Sequence, residues 1–480
     1  MFERDQLFIG GGWAKPSGAG VIEVISPSTE EIVGRVPEAA EADIDRAVEA
    51  ARAAFDRGPW PRMAAAERAE VMEKLSGLLQ ARSEELARTI TEQNGSPISW
   101  SIMGQVFAST MVLDFYTGLA RTYQFEEDRA GVMGPTLVRK EPVGVVGAIV
   151  PWNVPLFTTM LKLGPAFAAG CTVVLKPAPE TPLDAYILAE CCTEAGLPEG
   201  VLNIVPAGRE VGEHLVTHPQ VDKIAFTGSS AAGKHIASLC GQQLKRYTLE
   251  LGGKSAAIIL DDADIADLVP KLVPAAMMNN GQACVAQTRV LISRDRHDEL
   301  VEALSDAVGA LKVGDPLDAT TEVGPLTAER QRERVLGYIN VGQEEGAKLA
   351  VGGGRPGGLD RGWYVEPTVF VNVDNKMTIA QEEIFGPVMS VIPFDDEQQA
   401  IDLANDSVYG LSGSVYSADA ERALDVARLV RTGTISINGF SLDFGSPFGG
   451  YKQSGVGREL GPEGLEHYLE YKSVMFPGGR

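Results

Sequence analysis

The stretch Val143-Gly144-Val145-Val146-Gly147-Ala148-Ile149-Val150-Pro151-Trp152-Asn153, answered by Cys171-Thr172-Val173-Val174-Leu175-Lys176-Pro177, decides the fold. Each is a short apolar run closed by a proline, the length of a strand and too short for a core helix. Similar runs recur at 201–205 and 223–226, with helical stretches such as 182–196 and 209–218 between them. Strand, helix, strand at this interval predicts a parallel sheet with crossover helices, an α/β fold. After Glu250 a second series repeats the pattern. Its strand candidates are 256–260, 290–293, 388–394 and 434–438, and helices such as 297–311 and 328–345 lie between them. A second α/β domain is expected there.

Outward from these series the signals change. The N-terminal region reads as mostly helical. Ile44, Val48, Ala51 and Phe55 share one helix face, and Val71, Leu75, Leu79, Leu86 and Ile90 share another that ends at Asn94-Gly95 before Pro97. The more polar segment 122–140 fits a hairpin, and 465–474 has the alternating character of an added edge strand.

Composition narrows the function class. The 480 residues carry 42 Lys+Arg against 65 Asp+Glu, a formal charge of −23. Such a surface repels phosphate backbones, so nucleic acid and anionic membrane are poor partners. The longest nearly apolar stretches, 143–151 and 164–175, fall short of the roughly 18–20 residues of a membrane helix. Met1-Phe2-Glu3-Arg4-Asp5 has acids where a signal peptide carries a basic segment. The five cysteines, Cys171, Cys191, Cys192, Cys240 and Cys284, fit neither a disulfide framework nor a metal site. A cytoplasmic, metal-free enzyme is expected.

Several motifs compete for the chemistry. Gly228-Ser229-Ser230-Ala231-Ala232-Gly233-Lys234 matches a P-loop up to its last position, where His235 replaces the magnesium-binding hydroxyl. What survives is a strand-to-helix turn offering free N–H groups to a pyrophosphate. The cluster at 352–358 lacks a following helix. Its proline and the strand-like Trp363-Tyr364-Val365 mark it as a surface loop. Cys284, in Asn279-Asn280-Gly281-Gln282-Ala283-Cys284, has small neighbours that leave a thiol approachable, whereas the other four cysteines read as packing residues. Glu250-Leu251-Gly252-Gly253-Lys254 ends a strand with a carboxylate.

In combination these segments resemble the aldehyde dehydrogenase superfamily. The matching stretches are Pro151-Trp152-Asn153, Lys176-Pro177-Ala178, Phe226-Thr227-Gly228-Ser229, Leu249-Glu250-Leu251-Gly252-Gly253-Lys254, Gly281-Gln282-Ala283-Cys284, Glu382-Glu383-Ile384-Phe385-Gly386-Pro387 and Ser446-Pro447-Phe448-Gly449-Gly450. They run in family order from about residue 7 to 474. The resemblance implies a Rossmann-type NAD(P)-binding domain (1–121 and 141–249), a catalytic α/β domain (250–445) and a small β oligomerisation element (122–140 and 462–480). It also implies that Cys284 attacks the aldehyde carbon, that the Asn153 amide and the Cys284 N–H hold the oxyanion, and that Glu250 activates the water hydrolysing the thioester. Lys162 corresponds to a lysine relaying protons to that glutamate. For the cofactor, the resemblance assigns Lys176 to the adenosine ribose, Gly228 and Ser229 to the pyrophosphate, Glu383 to the nicotinamide ribose, and Trp152, Leu251 and Phe385 to the surrounding wall.

NAD-preferring relatives often carry Glu three positions after the lysine. Here Pro179 stands there and Glu180 follows. NADP use is therefore open, and NAD is preferred because no arginine adjoins Lys176. Positions matching the family's substrate tunnel, Val154, Phe157, Thr158, Leu161, Ala283, Val285, Phe440 and Phe448, are mostly apolar and favour aliphatic or aromatic aldehydes. A CoA-acylating relative is the alternative, disfavoured because Glu250 is retained. The family implies a homodimer or homotetramer.

Overall fold

The computed structural model describes residues 1–477. Two large sheets and two small ones organise the chain. The first large sheet has eight strands in the order Gly455–Val456, Arg246–Glu250, Lys223–Thr227, Val145–Ile149, Thr172–Lys176, Leu202–Ile204, Leu7–Ile9, Gly12–Ala14. Its five central strands are parallel, and the added strands at both edges are antiparallel. Val145–Ile149 and Thr172–Lys176 are buried along their whole length, as strands covered on both faces must be.

Strand order fixes where a ligand binds. From Val145–Ile149 the chain runs outward through Thr172–Lys176 to Leu202–Ile204, then returns to place Lys223–Thr227 on the other side of the starting strand. The crevice at such a reversal, beyond the carboxyl ends of the strands, is the binding position of open α/β sheets. Trp152 and Asn153 follow one of these two strands, and Gly228 and Ser229 follow the other.

Helix Pro155–Ala169 crosses from the first strand to its neighbour. Pro155 opens it, Gly170 (φ 93°) closes it, and almost every side chain on it is buried. Its Gly164 lies against Tyr116, where a Cβ would come 2.7 Å from the ring. Two packed layers result, one on each face of the sheet.

The second large sheet runs Lys348–Val351, Thr368–Val371, Val388–Phe394, Arg289–Ser293, Ala256–Ile259, Gly413–Tyr416, Ser436–Ile437, parallel except at the first pair. It too is covered on both faces. Leu469–Met475 pairs antiparallel with Thr136–Pro142, which pairs with Glu126–Arg129. Residues 478–480, the end of the predicted 462–480 segment, lie outside the described residues. Among the described residues no helix is long and apolar enough to cross a membrane, and all five cysteines are free thiols.

Four expectations need correction. The face through Val71 and Ile90 belongs to two helices, Ala65–Ala81 and Ser83–Asn94, because Arg82 (φ −104°, ψ 21°) leaves helical geometry and turns its side chain onto Glu85 and Glu190. The N-terminal region is not mostly helical before residue 38. It holds five strands of two to six residues; Val21–Ile25 alternates in burial, but its Val-Ile-Glu-Val-Ile sequence does not alternate in polarity, and the others are short or irregular. Trp363-Tyr364-Val365 is buried irregular chain rather than a strand, its backbone held by bonds such as Leu326 N–H to the Trp363 carbonyl (3.0 Å). Finally, 434–438 contracts to a two-residue strand, while Lys348–Val351, Thr368–Val371 and Gly413–Tyr416 join the sheet unpredicted.

Candidate active site

Cys284 sits three residues beyond a turn of unusual backbone. Asn279 (φ 51°), Asn280 (φ 59°) and Gly281 (φ 72°) lie consecutively in the left-handed region, which Asn tolerates and Gly occupies without strain. A Cβ at Gly281 would fall on the Gly386 carbonyl. Asn280 locks the turn by donating to the carbonyls of Gly95 and Pro325 (both 2.9 Å) and accepting from the Gly324 N–H (2.6 Å). The thiol is half-buried. Burial first, then the carboxylates of Glu383 and Glu250, pushes it up to about 12. In the ligand-free protein the thiolate is therefore scarce at neutral pH. Alkylation of Cys284 by iodoacetamide is expected to accelerate about tenfold per pH unit between pH 7 and 9. A plateau below pH 8 would refute this environment.

Asn153 follows the first central strand and is buried. Its side-chain amide donates to the Gln282 carbonyl (2.8 Å), which aims it at the cysteine loop and leaves its second N–H free of that bond.

Glu250 ends strand Arg246–Glu250 with its carboxylate 4% exposed, and neither oxygen has a hydrogen-bond partner. Burial, reinforced by Glu459 and opposed by Lys162 and Arg458, raises it well above the usual carboxylate range. A buried carboxyl with no partner holds its proton tightly, and this turns it into a stronger base once ionised. Lys162 does not hydrogen-bond Glu250. Its ammonium is bound to the buried Glu459 and to Thr227 Oγ1. The link from Lys162 to Glu250 is therefore electrostatic, and Glu459, the ion-pair partner of Lys162, acts on Glu250 in the opposite sense. Glu459 was missed in the sequence because it lies in no motif. Its only signal was an acid in an otherwise glycine-rich turn.

Two cavities meet at Cys284. The smaller, about 220 Å³, is lined by Trp152, Gly228, Ser229, Leu251, Glu383 and Phe385, with Gly252, Gln331 and Arg334 added by the fold. Ser229 caps helix Ser230–Gln243 by accepting from the Ala232 N–H (3.3 Å), so the helix opens onto the cleft. Lys234, the would-be P-loop lysine, is exposed and bonded to Gln453 (2.9 Å), away from any phosphate role. Glu383 accepts from the Gly253 N–H (2.9 Å), and burial pushes it up to about 7. A Cβ on Gly252 would come 2.5 Å from the Glu383 carboxylate, so this loop is a cradle that only glycine leaves open. Trp152 and Phe385 meet edge to face at 5.4 Å, and Phe385 (φ 66°) holds a strained backbone to do so. These groups fit a dinucleotide: a helix N-terminus for its phosphates, a carboxylate for a ribose and an aromatic wall for a ring.

Lys176 stands apart from this cavity. It is buried at the end of strand Thr172–Lys176, donates to the Ala207 carbonyl (2.8 Å), and is lowered to about 8 by burial. Glu180 is ion-paired with Arg330, a cation that sequence adjacency to Lys176 could not reveal.

The larger cavity, about 660 Å³, contains all eight predicted substrate positions: Val154, Phe157, Thr158, Leu161, Ala283, Val285, Phe440 and Phe448. Trp100, Met278, Leu442 and Phe444 extend the apolar wall, and Asn153, Glu250 and Cys284 supply its polar end. Asn153, Val154, Thr158, Thr227 and Cys284 line both cavities.

Comparison with known proteins agrees with this geometry. The model of the aldehyde dehydrogenase family matches residues 13–474. The chain is 48% identical to geranial dehydrogenase of Castellaniella defragrans over 99% of both chains. Among solved structures, a Mycobacterium tuberculosis aldehyde dehydrogenase complexed with NAD+ superposes with a TM-score of 0.98 at 53% identity, covering 100% of this chain and 99% of the other. A mutant of aldehyde dehydrogenase C from Pseudomonas syringae, complexed with NAD+ and octanal, gives 0.96 at 43% identity over 98% and 96%. The chain belongs to the aldehyde dehydrogenase family and is an oxidoreductase acting on aldehydes.

Proposed function

We propose that this chain oxidises extended apolar aldehydes to carboxylic acids by a hydrolytic, NAD+-dependent route with Cys284 as nucleophile. The observation that carries the reading is the position of Cys284 on the shared wall of an apolar cavity and a dinucleotide-shaped cleft, with the buried, unpartnered Glu250 lining the apolar cavity beside it. The Cys284 thiolate attacks the aldehyde carbon. The Asn153 amide and the Cys284 N–H take the developing oxyanion, and preorganised donors of this kind are each worth about 10²–10³ in rate. When bound, the dinucleotide supplies the hydride acceptor. Glu250 then removes a proton from the water that hydrolyses the thioester, and its raised affinity for protons suits that task. Lys162 and Glu459 hold the charge balance around it.

NAD+ is the expected cofactor. Pro179 leaves no carboxylate at that position, but Glu180 acts on Lys176 and is itself ion-paired with Arg330, so a carboxylate remains close to the lysine proposed for the adenosine ribose. The relatives complexed with NAD+ support the same choice. The CoA-acylating alternative is not favoured, since it has no use for Glu250.

The domain assignment is part of this reading: 1–121 and 141–249 for the dinucleotide, 250–445 for catalysis, 122–140 and 462–480 for oligomerisation. The two large sheets support the first two. The exposed Tyr471 and Met475 on the small sheet, with Val132 and Met133 in the turn between its other two strands, support a homodimer or homotetramer.

Substrate class follows from the cavity. Its volume and its Trp100, Phe157, Phe440, Leu442, Phe444 and Phe448 wall suit a chain of medium length, and geranial and octanal, named with the relatives, are of that type. Each buried methylene contributes about 0.8 kcal/mol, or about fourfold. Rates followed at 340 nm with NAD+ and NADP+ are expected to give kcat/KM rising about fourfold per methylene from acetaldehyde to octanal, with NAD+ preferred. A flat profile, or a preference for acetaldehyde, would overturn the substrate assignment.

A further inference from the structure

A single carbonyl oxygen near the nucleophile carries three side-chain amides. The backbone oxygen of Asn153 accepts from Asn279 Nδ2 (2.9 Å), Asn94 Nδ2 (3.1 Å) and Gln105 Nε2 (3.2 Å), all of them buried. A carbonyl has two lone pairs, so three donors over-determine its orientation. Asn279 also donates to the Gln282 carbonyl (3.3 Å), the group that receives the Asn153 side chain. It therefore bridges the backbone anchors of the two oxyanion donors, Asn153 and the cysteine loop. Its left-handed backbone and the Ser96 hydroxyl on its amide oxygen fix that bridge in place.

Gln105 is the less expected partner. It lies in Ser101–Phe107, a turn wound with the wide π-helical hydrogen-bond pattern that tends to occur at functional sites. The only side-chain hydrogen bond it makes among the described residues is to Asn153, and its own amide oxygen is buried without a partner. Burying an unsatisfied acceptor is costly, and an apolar residue would avoid that cost. The same turn presents Gly104 to the apolar cavity, and Trp100 and Ala108, which flank it, line that cavity too.

We propose that Gln105 and Asn279 are positioning residues for the Asn153 amide, and that Gln105 ties the wall of the aldehyde cavity to the oxyanion donors. The inference rests on the proposed role of Asn153. It is tested with Gln105→Leu and Asn279→Asp, alone and combined with Asn153→Ala, using octanal and NAD+. Each single variant is expected to lower kcat about tenfold, since misplacement of such a group by a fraction of an ångström is felt strongly in rate. Cys284 alkylation by iodoacetamide, which forms no oxyanion, is expected to stay within about twofold. On the Asn153→Ala background the further loss is expected to be below about twofold, because nothing remains to be positioned. Equal losses on both backgrounds, or a parallel fall in alkylation, would overturn the inference. Should Asn279→Asp fail to fold, Gln105→Leu decides alone. Full activity in Asn153→Ala by itself would instead overturn the proposed function, so the two failures are told apart.

Discussion

Cys284→Ala is expected to abolish aldehyde oxidation, lowering kcat/KM by at least about 10⁴-fold. The size of the effect follows from the role. The other groups at the site hold charge or move a proton, and only Cys284 offers a soft nucleophile able to form and release an acyl bond. The four remaining cysteines are buried, and none lines either cavity. The variant should fold, because a half-buried thiol is replaced by a smaller apolar group and the turn through Asn279–Gly281 does not use the sulfur. The check is a rate at 340 nm with octanal and NAD+ beside a thermal melt. A folded variant within tenfold of the parent would end the covalent mechanism.

Glu250→Gln is expected to separate the two halves of the reaction. Glutamine keeps the shape of the side chain and removes the base. Neither oxygen of Glu250 makes a hydrogen bond, so no structural contact is lost with it. Steady-state turnover should fall by about 10²–10⁴, the usual worth of a positioned general base. The first turnover should still release its equivalent of NADH, leaving a thioester on Cys284 that mass spectrometry detects. Loss of the burst together with turnover would move Glu250 from deacylation to activation of the thiol. In the parent enzyme the same group gives a pH signature. Its carboxyl holds its proton far above the ordinary carboxylate range, so deacylation rises with pH as the base ionises.

Much of this was legible in the sequence, for a physical reason. The two strands that flank the crossover helix, Val145–Ile149 and Thr172–Lys176, are buried on both faces and read as nearly unbroken apolar runs. The helix starting at Pro155 has a proline at its first position and a glycine just past its last. The binding groups follow strand ends, where open sheets place ligands. Less legible were features that depend on distance in sequence. The edge strand 348–351 and the inner strand 413–416 are four residues each and gain their stability from neighbours. Arg82 breaks a helix whose apolar spacing continues across it. Glu459 and Gln105 belong to no motif, and only the fold brings them to Lys162 and Asn153, 297 and 48 residues away. Trp100, Leu442 and Phe444 were invisible as cavity residues because an apolar side chain carries no mark of which surface it covers.

The two cavities meet only along the strip around Cys284, and otherwise different parts of the chain wall them. Traffic through the enzyme is thereby divided. On the proposed reading, the acid leaves through the apolar cavity while the dinucleotide still occupies the other, and a molecule filling the apolar cavity leaves the other free. Blockers of the two entrances are free to sit in the protein together, and a single compound spanning the strip would gain from both.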